Sequence, residues 1–208
     1  MNSNTVTIKA PQFETAKFKI RGVVPLVMNA FPAKAREMMR AKQAAGSTAK
    51  GKKERAAKDF DECYEQAKHV SREGWCGIPA SAFRCACISA CRLVNFKMTL
   101  AKLSVFVEAD GFDRLDGTPL VKITKGEPQY VEHAVRNETG VADIRARPMW
   151  AEGWEAVVKI RWDAEQFTLA DMCNLLSRVG MQVGIGEGRP DSKNSAGMGW
   201  GQFEIVND

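Results

Sequence analysis

Alternating apolar and polar positions predict the two longest strands of the chain. The first occupies residues 15–28, and its ladder ends at Pro25 because proline has no N–H to donate. The second runs from Trp154 to Trp162. An apolar residue at every second position is typical of a strand with one buried face. The side chains predicted to face the core are Phe18, Ile20, Val24, Trp154, Val158 and Ile160.

Two helices and two further strands follow from similar patterns. Apolar residues recur at helical spacing over Ile78–Val94, where Pro79 suits the first turn. Thr168 is a typical N-cap for a helix that we expect to end at Gly180 as its C-cap. The two shorter apolar alternations, over residues 103–108 and 200–206, predict strands.

Two segments interrupt this order and are interpreted as insertions. Residues 29–77 carry a helical pattern from 33 to about 72, broken at GSTAKG (46–51), and residues 110–152 are interpreted as one or two irregular hairpins. The remaining core, 13–28, 78–109 and 153–208, has the order βαββαβ. That order predicts a single α+β domain with a ferredoxin-like fold, strand order 4-1-3-2 and both helices on one face.

The charge of the chain is concentrated near its N-terminal side. The net charge of the 208 residues is +5, and between residues 33 and 58 nine basic residues face only Glu37 and Glu54. A basic arm on a nearly neutral body favours a polyanionic partner. Its basic residues include Lys50, Lys52 and Lys53, and we expect the segment to become ordered when a ligand or neighbouring subunit binds.

Composition argues against several other classes of protein. No apolar run is long enough to span a membrane, and the first residues lack the apolar core of a signal peptide, so we expect a cytoplasmic protein in a bacterial host. The six cysteines show no C-x-x-C pair, which favours small buried residues over a zinc site. No motif for a cofactor is present, and none is expected.

The open face of the predicted sheet is basic with aromatic residues among the charges. Such a face suits single-stranded nucleic acid, although open sheet faces also form oligomer interfaces. Phe106, Trp200 and Gln202 are predicted to lie near its basic side chains, which are Lys17, Lys19, Arg21, Lys159 and Arg161.

A glycine-rich loop, residues 180–201, is predicted between the last helix and the last strand. Exposed N–H groups in such loops bind phosphate oxygens, and a structural turn is the alternative. Neither G-x-G-x-x-G followed by a helix nor G-x-x-x-x-G-K-S/T is present. The phosphate-binding candidates are Gly184, Gly186, Gly188, Arg189 and Lys193, with Arg145 and Arg147 of IRARPMW as further basic candidates.

Two motifs in these segments resemble a known family. VGIGEGRPDSKNSAGMGWGQFEI (183–205) and FKIRGVVPLVMN (18–29) resemble the RAMP superfamily, the RNA-binding proteins of CRISPR effector complexes. The resemblance implies a ferredoxin-like fold and subunits that polymerise along a nucleic acid, with CRISPR-type protein partners. Similar openings and endings occur in bacteriophage proteins, which implies a phage-encoded member. Glu187 departs from a basic phosphate cradle, which favours a backbone or structural role for the loop.

Residues for acid–base catalysis are few. His69 is expected on a polar helix and His133 in an irregular stretch, neither with a partner at fixed spacing, while Asp59 and Asp61 resemble solvated helix residues. We therefore expect no enzymatic activity. Three functions stay open: a single-stranded DNA- or RNA-binding protein that oligomerises, an RNA-processing endoribonuclease on the same fold, and a protein-interaction module that inhibits or caps a CRISPR complex.

Overall fold

The computed structural model describes residues 8–31, 33–44, 58–136, 142–192 and 197–206 as an α+β protein with antiparallel sheets. The strands are β1 Phe13–Gly22, β2 Leu26–Val27, β3 Gly77–Pro79, β4 Val105–Glu108, β5 Gly111–Phe112, β6 Pro119–Lys125, β7 Gln129–Arg136, β8 Ala142–Trp150, β9 Glu155–Asp163 and β10 Phe203–Ile205. The helices are α1 Ala33–Ala44, α2 Phe60–Gln66, α3 Ala80–Ala90, α4 Met98–Ser104 and α5 Leu169–Arg178.

The main sheet is built around β1 and β9. β1 lies between β10 and β9, and all these pairs are antiparallel. The other edge of β9 is shared, because β4 pairs with residues 159–162 and β6 pairs with residues 155 and 156. β6 then continues to β3 and β5. β10, β1, β9 and β4 are therefore neighbours in that order.

The second sheet consists of β2, β8 and β7 in that order. The chain leaves β1 at Gly22 and enters β2 four residues later, so one predicted strand contributes to both sheets. The segment that was predicted as a hairpin insertion likewise supplies β6 to the main sheet, and it supplies the β7–β8 hairpin to the second sheet.

The predicted core face of the main sheet is confirmed. Phe18, Ile20, Val158 and Ile160 are buried together with Trp154 at the start of β9, while Val24 beyond the end of β1 is only half-buried. The core also contains α3 and α5 side chains, including Phe83, Cys87, Ala90, Met172 and Leu176. The small residues of α3 bring that helix close to the sheet, because short side chains take little room between packed elements.

The last helix begins as predicted but ends differently. The Thr168 hydroxyl accepts from the Asp171 N–H, and the Asp171 carboxylate accepts from the Thr168 N–H, which completes a capping box. The prediction of Gly180 as C-cap was wrong, because a π-helical turn continues the helix to Val183. Gly180 is needed for space instead, since a Cβ there would lie 2.0 Å from the Phe203 carbonyl oxygen.

Three predicted boundaries were also wrong. The helix expected to reach residue 72 ends at Gln66, and the chain then forms bridges from Val70 to Cys76 and from Ser71 to Asp113. The strand predicted over 103–108 begins at residue 105, because α4 precedes it and leaves Leu103 exposed. The last strand covers only residues 203–205, because glycines shape the backbone before it.

Candidate functional site

An ion-pair network around Glu155 occupies one end of the open face of the main sheet. We call this end, where β1 finishes and β9 begins, the upper part of the face. The Arg21 Nε donates to Glu155 Oε1 at 3.1 Å, Lys125 Nζ lies 3.4 Å from the same oxygen, and Lys19 Nζ lies 4.0 Å from Oε2. The Arg21 hydrogen bond holds the pKa of Glu155 below its ordinary value of 4.5. The register places Glu204 opposite Arg21 on this face. Lys19 and Arg21 thus already have an acidic partner.

At the other end of the same face, where β1 begins and β9 finishes, aromatic rings pack against a guanidinium. We call this end the lower part of the face. The Arg161 guanidinium carbon lies 4.7 Å from the Phe13 ring centre and 5.0 Å from that of Phe106. The two rings meet edge to face at 5.8 Å, and Arg84 lies 5.1 Å from the Phe106 ring. A guanidinium at this distance from a ring centre is attracted to the ring face. Arg161 is therefore packed against two aromatic side chains that also contact each other.

Two lysines meet at the middle of this lower part. The register places Lys17 of β1 directly opposite Lys159 of β9, and like charges in directly opposed positions are unfavourable. Lys159 is ion-paired with Glu108, whereas exposed Lys17 makes no ion pair with any residue that the structure describes. We call Phe13, Lys17, Phe106, Lys159 and Arg161 the aromatic–basic patch.

Two residues predicted near the open face lie elsewhere. The Trp200 ring packs on the His133 ring of β7 at 4.6 Å, so Trp200 belongs to the glycine loop and the second sheet. The Gln202 side-chain amide donates to the Met181 carbonyl, beside the π-helical turn. Both predictions assumed that the last strand begins at residue 200, and the shorter β10 removes that basis.

The described part of the glycine loop packs on itself and on β2. Gly184, Gly186 and Gly188 all have positive φ, and the N–H of Glu187 donates to the Val27 carbonyl at 2.9 Å. Further along the loop, the N–H of Gly201 donates to the Pro25 carbonyl at 2.8 Å. These contacts give the loop glycines a structural use. Their role in phosphate binding stays a prediction.

Arg145 and Arg147 form a clamp on the loop. Arg145 Nη1 lies 2.9 Å from Glu187 Oε1, and Arg147 Nε lies 2.6 Å from Glu187 Oε2. Each guanidinium therefore already binds a carboxylate, which a nucleic-acid phosphate would have to replace. Nearby, Arg189 donates from Nη1 to the Gly186 carbonyl at 3.1 Å.

Four of the predicted contacts, Lys50, Lys52, Lys53 and Lys193, lie outside the described residues. The arm predicted to become ordered is described in part, because its residues 33–44 form α1 whereas residues 45–57 lie outside the described ranges. Its last residue, Lys58, donates to Asp143 at 3.0 Å and to the Ile144 carbonyl of β8. The Lys58 hydrogen bond lowers the pKa of the Asp143 carboxyl. The C-terminal end of the basic segment is thereby attached to the second sheet.

The sequence analysis did not predict the contact between His69 and Asp113, which is a candidate functional pair. His69 lies past the end of α2, and its Nδ1 is 3.0 Å from Oδ2 of Asp113, a residue 44 positions further along the chain. Both side chains are nearly buried. No local spacing could reveal the pair, because it depends on the bridge between Ser71 and Asp113. His69 lines a cavity of about 350 Å³ that also contacts Arg189 and the glycine loop.

The cysteines and carboxylates show no metal centre within the described residues. All six cysteines are free, and full burial raises the pKa of Cys87 to about 12. Asp59 caps α2 by accepting from the Glu62 N–H at 2.9 Å.

A comparison with protein-family models and with curated proteins finds no match. Among the described helices, none combines the length and the apolar character that a membrane span requires.

Proposed function

We propose that the protein binds single-stranded nucleic acid without catalysis and assembles along the strand in the bacterial cytoplasm. The observation that carries the proposal is the packing of Arg161 against Phe13 and Phe106 on the open face, near Lys17. The exposed Phe13 ring, the half-buried Phe106 ring and the planar guanidinium offer stacking surfaces to any base, and each stacked base is worth about 1–3 kcal/mol. Lys17 provides positive charge for the backbone phosphates, whereas the opposed Lys159 is already paired with Glu108.

The strand order of the main sheet also supports the proposal, although it bears on the fold rather than on individual contacts. We infer a ferredoxin-like core in which β1, α3, β4, β9, α5 and β10 are the six elements. The neighbour order β10-β1-β9-β4 and the antiparallel pairs favour it. We further infer membership of the RAMP superfamily, carried by a phage, from the two resembling motifs.

The test is a binding measurement on the full-length protein with fluorescent homopolymers of about ten nucleotides, a length within the usual site sizes. Arg161→Gln and Phe13→Ala are expected to weaken binding to both DNA and RNA at least about fivefold. Lys17→Gln is expected to lower the log–log salt slope by about 0.7, the value of one phosphate contact on a single strand.

Matched controls on the helix-covered side are Arg178→Gln and Lys102→Gln, both at exposed positions. These variants should bind like the parent protein. If the patch variants and the controls bind equally, the open face is not the binding surface, and the proposal fails.

One observation favours the endoribonuclease as a second candidate. Asp113 orients His69 as a carboxylate orients a general base, with one imidazole nitrogen engaged and the other turned away. RNA cleavage without added metal, abolished in His69→Gln but retained in His133→Gln, would establish that activity. Intact RNA after incubation with the parent protein would exclude it.

A further inference from the structure

The cavity beside His69 lies away from the open face of the main sheet. Its volume is about 350 Å³, and it separates the segment after β2 and the start of α3 from the glycine loop. Its polar lining comes from Asn29, His69, Glu187, Arg189 and Ser192. The proposed strand-binding patch contributes none of these residues.

The orientation of His69 in this cavity is determined by Asp113. The imidazole Nδ1 is bound to Asp113 Oδ2 at 3.0 Å, and the other oxygen, Oδ1, accepts from the Leu115 N–H at 2.8 Å. The Asp113 side chain is only 5% exposed, so the carboxylate is held from both sides and cannot turn away. Since a carboxylate only accepts, Nδ1 carries the proton, and Nε2 is the ring nitrogen left for the cavity.

Arg189 brings a positive charge to the same cavity. Its Nη1 donates to the Gly186 carbonyl at 3.1 Å, which anchors one arm of a guanidinium that has five N–H donors. Glu187 also lines the cavity, but its two oxygens are bound by Arg145 and Arg147. The charge of Glu187 is therefore compensated by these two guanidiniums rather than by Arg189. Asp191, the second acidic residue of the loop, accepts from Ser89 and Arg92, and Arg189 is a weaker electrostatic neighbour that helps to lower its pKa.

We propose that this cavity binds one phosphate group through the Arg189 guanidinium and the imidazolium Nε2–H of His69. Two charged donors that line one cavity from distant parts of the chain suit a tetrahedral oxyanion, because charge-assisted hydrogen bonds to phosphate are the strong ones. The phosphate belongs either to a bound strand, in which case the inference rests on the proposed function, or to free phosphate.

The direct test is an imidazole ¹⁵N NMR titration of the full-length protein with inorganic phosphate at about pH 6, where a typical imidazole is mostly protonated. The chain has only two histidines, so His69→Gln assigns both sets of signals. Saturable shifts of the His69 signals, with His133 unmoved, are expected. Arg189→Gln should abolish them, and Arg178→Gln, with the same charge change on α5, should not.

Signals of His69 that phosphate does not move, or that move equally in Arg189→Gln, would overturn the proposal. Because Arg189 also contacts the loop backbone, Arg189→Lys provides a second variant that keeps the charge. This variant should bind phosphate more weakly than the parent protein but more strongly than Arg189→Gln.

A second experiment identifies the source of the phosphate. If a homopolymer of about ten nucleotides moves His69, and Arg189→Gln lowers its salt slope by about 0.7, the strand supplies the group. If inorganic phosphate alone moves His69, the site takes free phosphate. If Arg161→Gln no longer binds the homopolymer but its phosphate titration is unchanged, the phosphate site is independent of the aromatic–basic patch and the present proposal holds. A failure of the proposed function would instead appear as no strand binding by the parent protein.

Discussion

Glu155 is the carboxylate that determines how much positive charge the upper open face can offer. It lies within 4.0 Å of Lys19, Arg21 and Lys125, all on the same side of the sheet. The charge that the sequence places on this face is therefore locally compensated near Glu155. In the aromatic–basic patch, Arg161 is packed against aromatic rings, and Lys17 makes no ion pair with a described side chain.

Glu155 also predicts a dependence of stability on pH. Its pKa is lowered in the folded protein, chiefly by the Arg21 hydrogen bond, so its contribution is present above the ordinary value of 4.5 and is lost as pH falls below it. We expect Glu155→Gln to lower the melting temperature at pH 7, and we expect the difference from the parent protein to shrink below about pH 4.5.

Thermal melts of both proteins between neutral and acidic pH measure this. Glu152→Gln is the control, because Glu152 is exposed and makes no ion pair with a described residue. A difference for Glu155→Gln that stays constant across the range would show that the ion pairs do not stabilise the fold.

At the scale of elements, the glycines of the loop meet two requirements: a left-handed backbone conformation and close packing without room for a Cβ. Gly186 has φ +78° and would bring a Cβ within 2.5 Å of the Val27 carbonyl oxygen. Gly199 has a similar φ of +76°, but its Cβ would meet only the Gln202 Oε1, at 4.0 Å. The two positions therefore separate the cost of a left-handed backbone from the cost of a steric clash.

We expect Gly199→Ala to lower the free energy of unfolding by about 1 kcal/mol, the cost of placing a Cβ in the left-handed region. Gly186→Ala should lose a further 1–3 kcal/mol or so, because β2 must move to admit the methyl group. Urea denaturation measures both losses. Equal losses would mean that the loop is not packed on β2 as described.

At the scale of the whole molecule, the glycine loop connects the two sheets. On one side, Glu187 donates its N–H to Val27 of β2 and accepts from Arg145 and Arg147 of β8. On the other side, the loop leads through Gly201 into β10 of the main sheet. The Glu187 carboxylate is therefore a cross-link between the hairpin and the rest of the protein.

Glu187→Gln should weaken this cross-link, because an amide has one acceptor oxygen for two guanidiniums. We expect a loss of about 1.5–3 kcal/mol of stability, the usual value of hydrogen bonds to charged groups. Hydrogen exchange should accelerate in β7 and β8 but not in β1 and β9. Glu132→Gln on the same hairpin is the control, because among the described residues the Glu132 carboxylate accepts only from the exposed Tyr130 hydroxyl. Uniform acceleration in both sheets would contradict the cross-link.

Local signals determined the parts of the fold that depend on nearby residues. The buried faces of β1 and β9 follow from a period of two, and the start of α5 follows from Thr168 and Asp171, three positions apart. Predictions failed where a local pattern was ambiguous. A short helix precedes β4, and the glycine expected to end α5 serves close packing instead.

Only the tertiary structure decided which charges are paired. Arg21 and Glu155 are 134 positions apart, Arg147 and Glu187 are 40 apart, and His69 and Asp113 are 44 apart. A sequence specifies which faces are apolar, because burial acts on each residue through its local period. Ion pairs instead require two distant side chains to arrive within about 4 Å, and strand register and loop path set that distance. The sequence therefore determined a basic, aromatic sheet face, and the fold decided that Lys17, near Arg161, pairs with none of the acidic side chains that the structure describes.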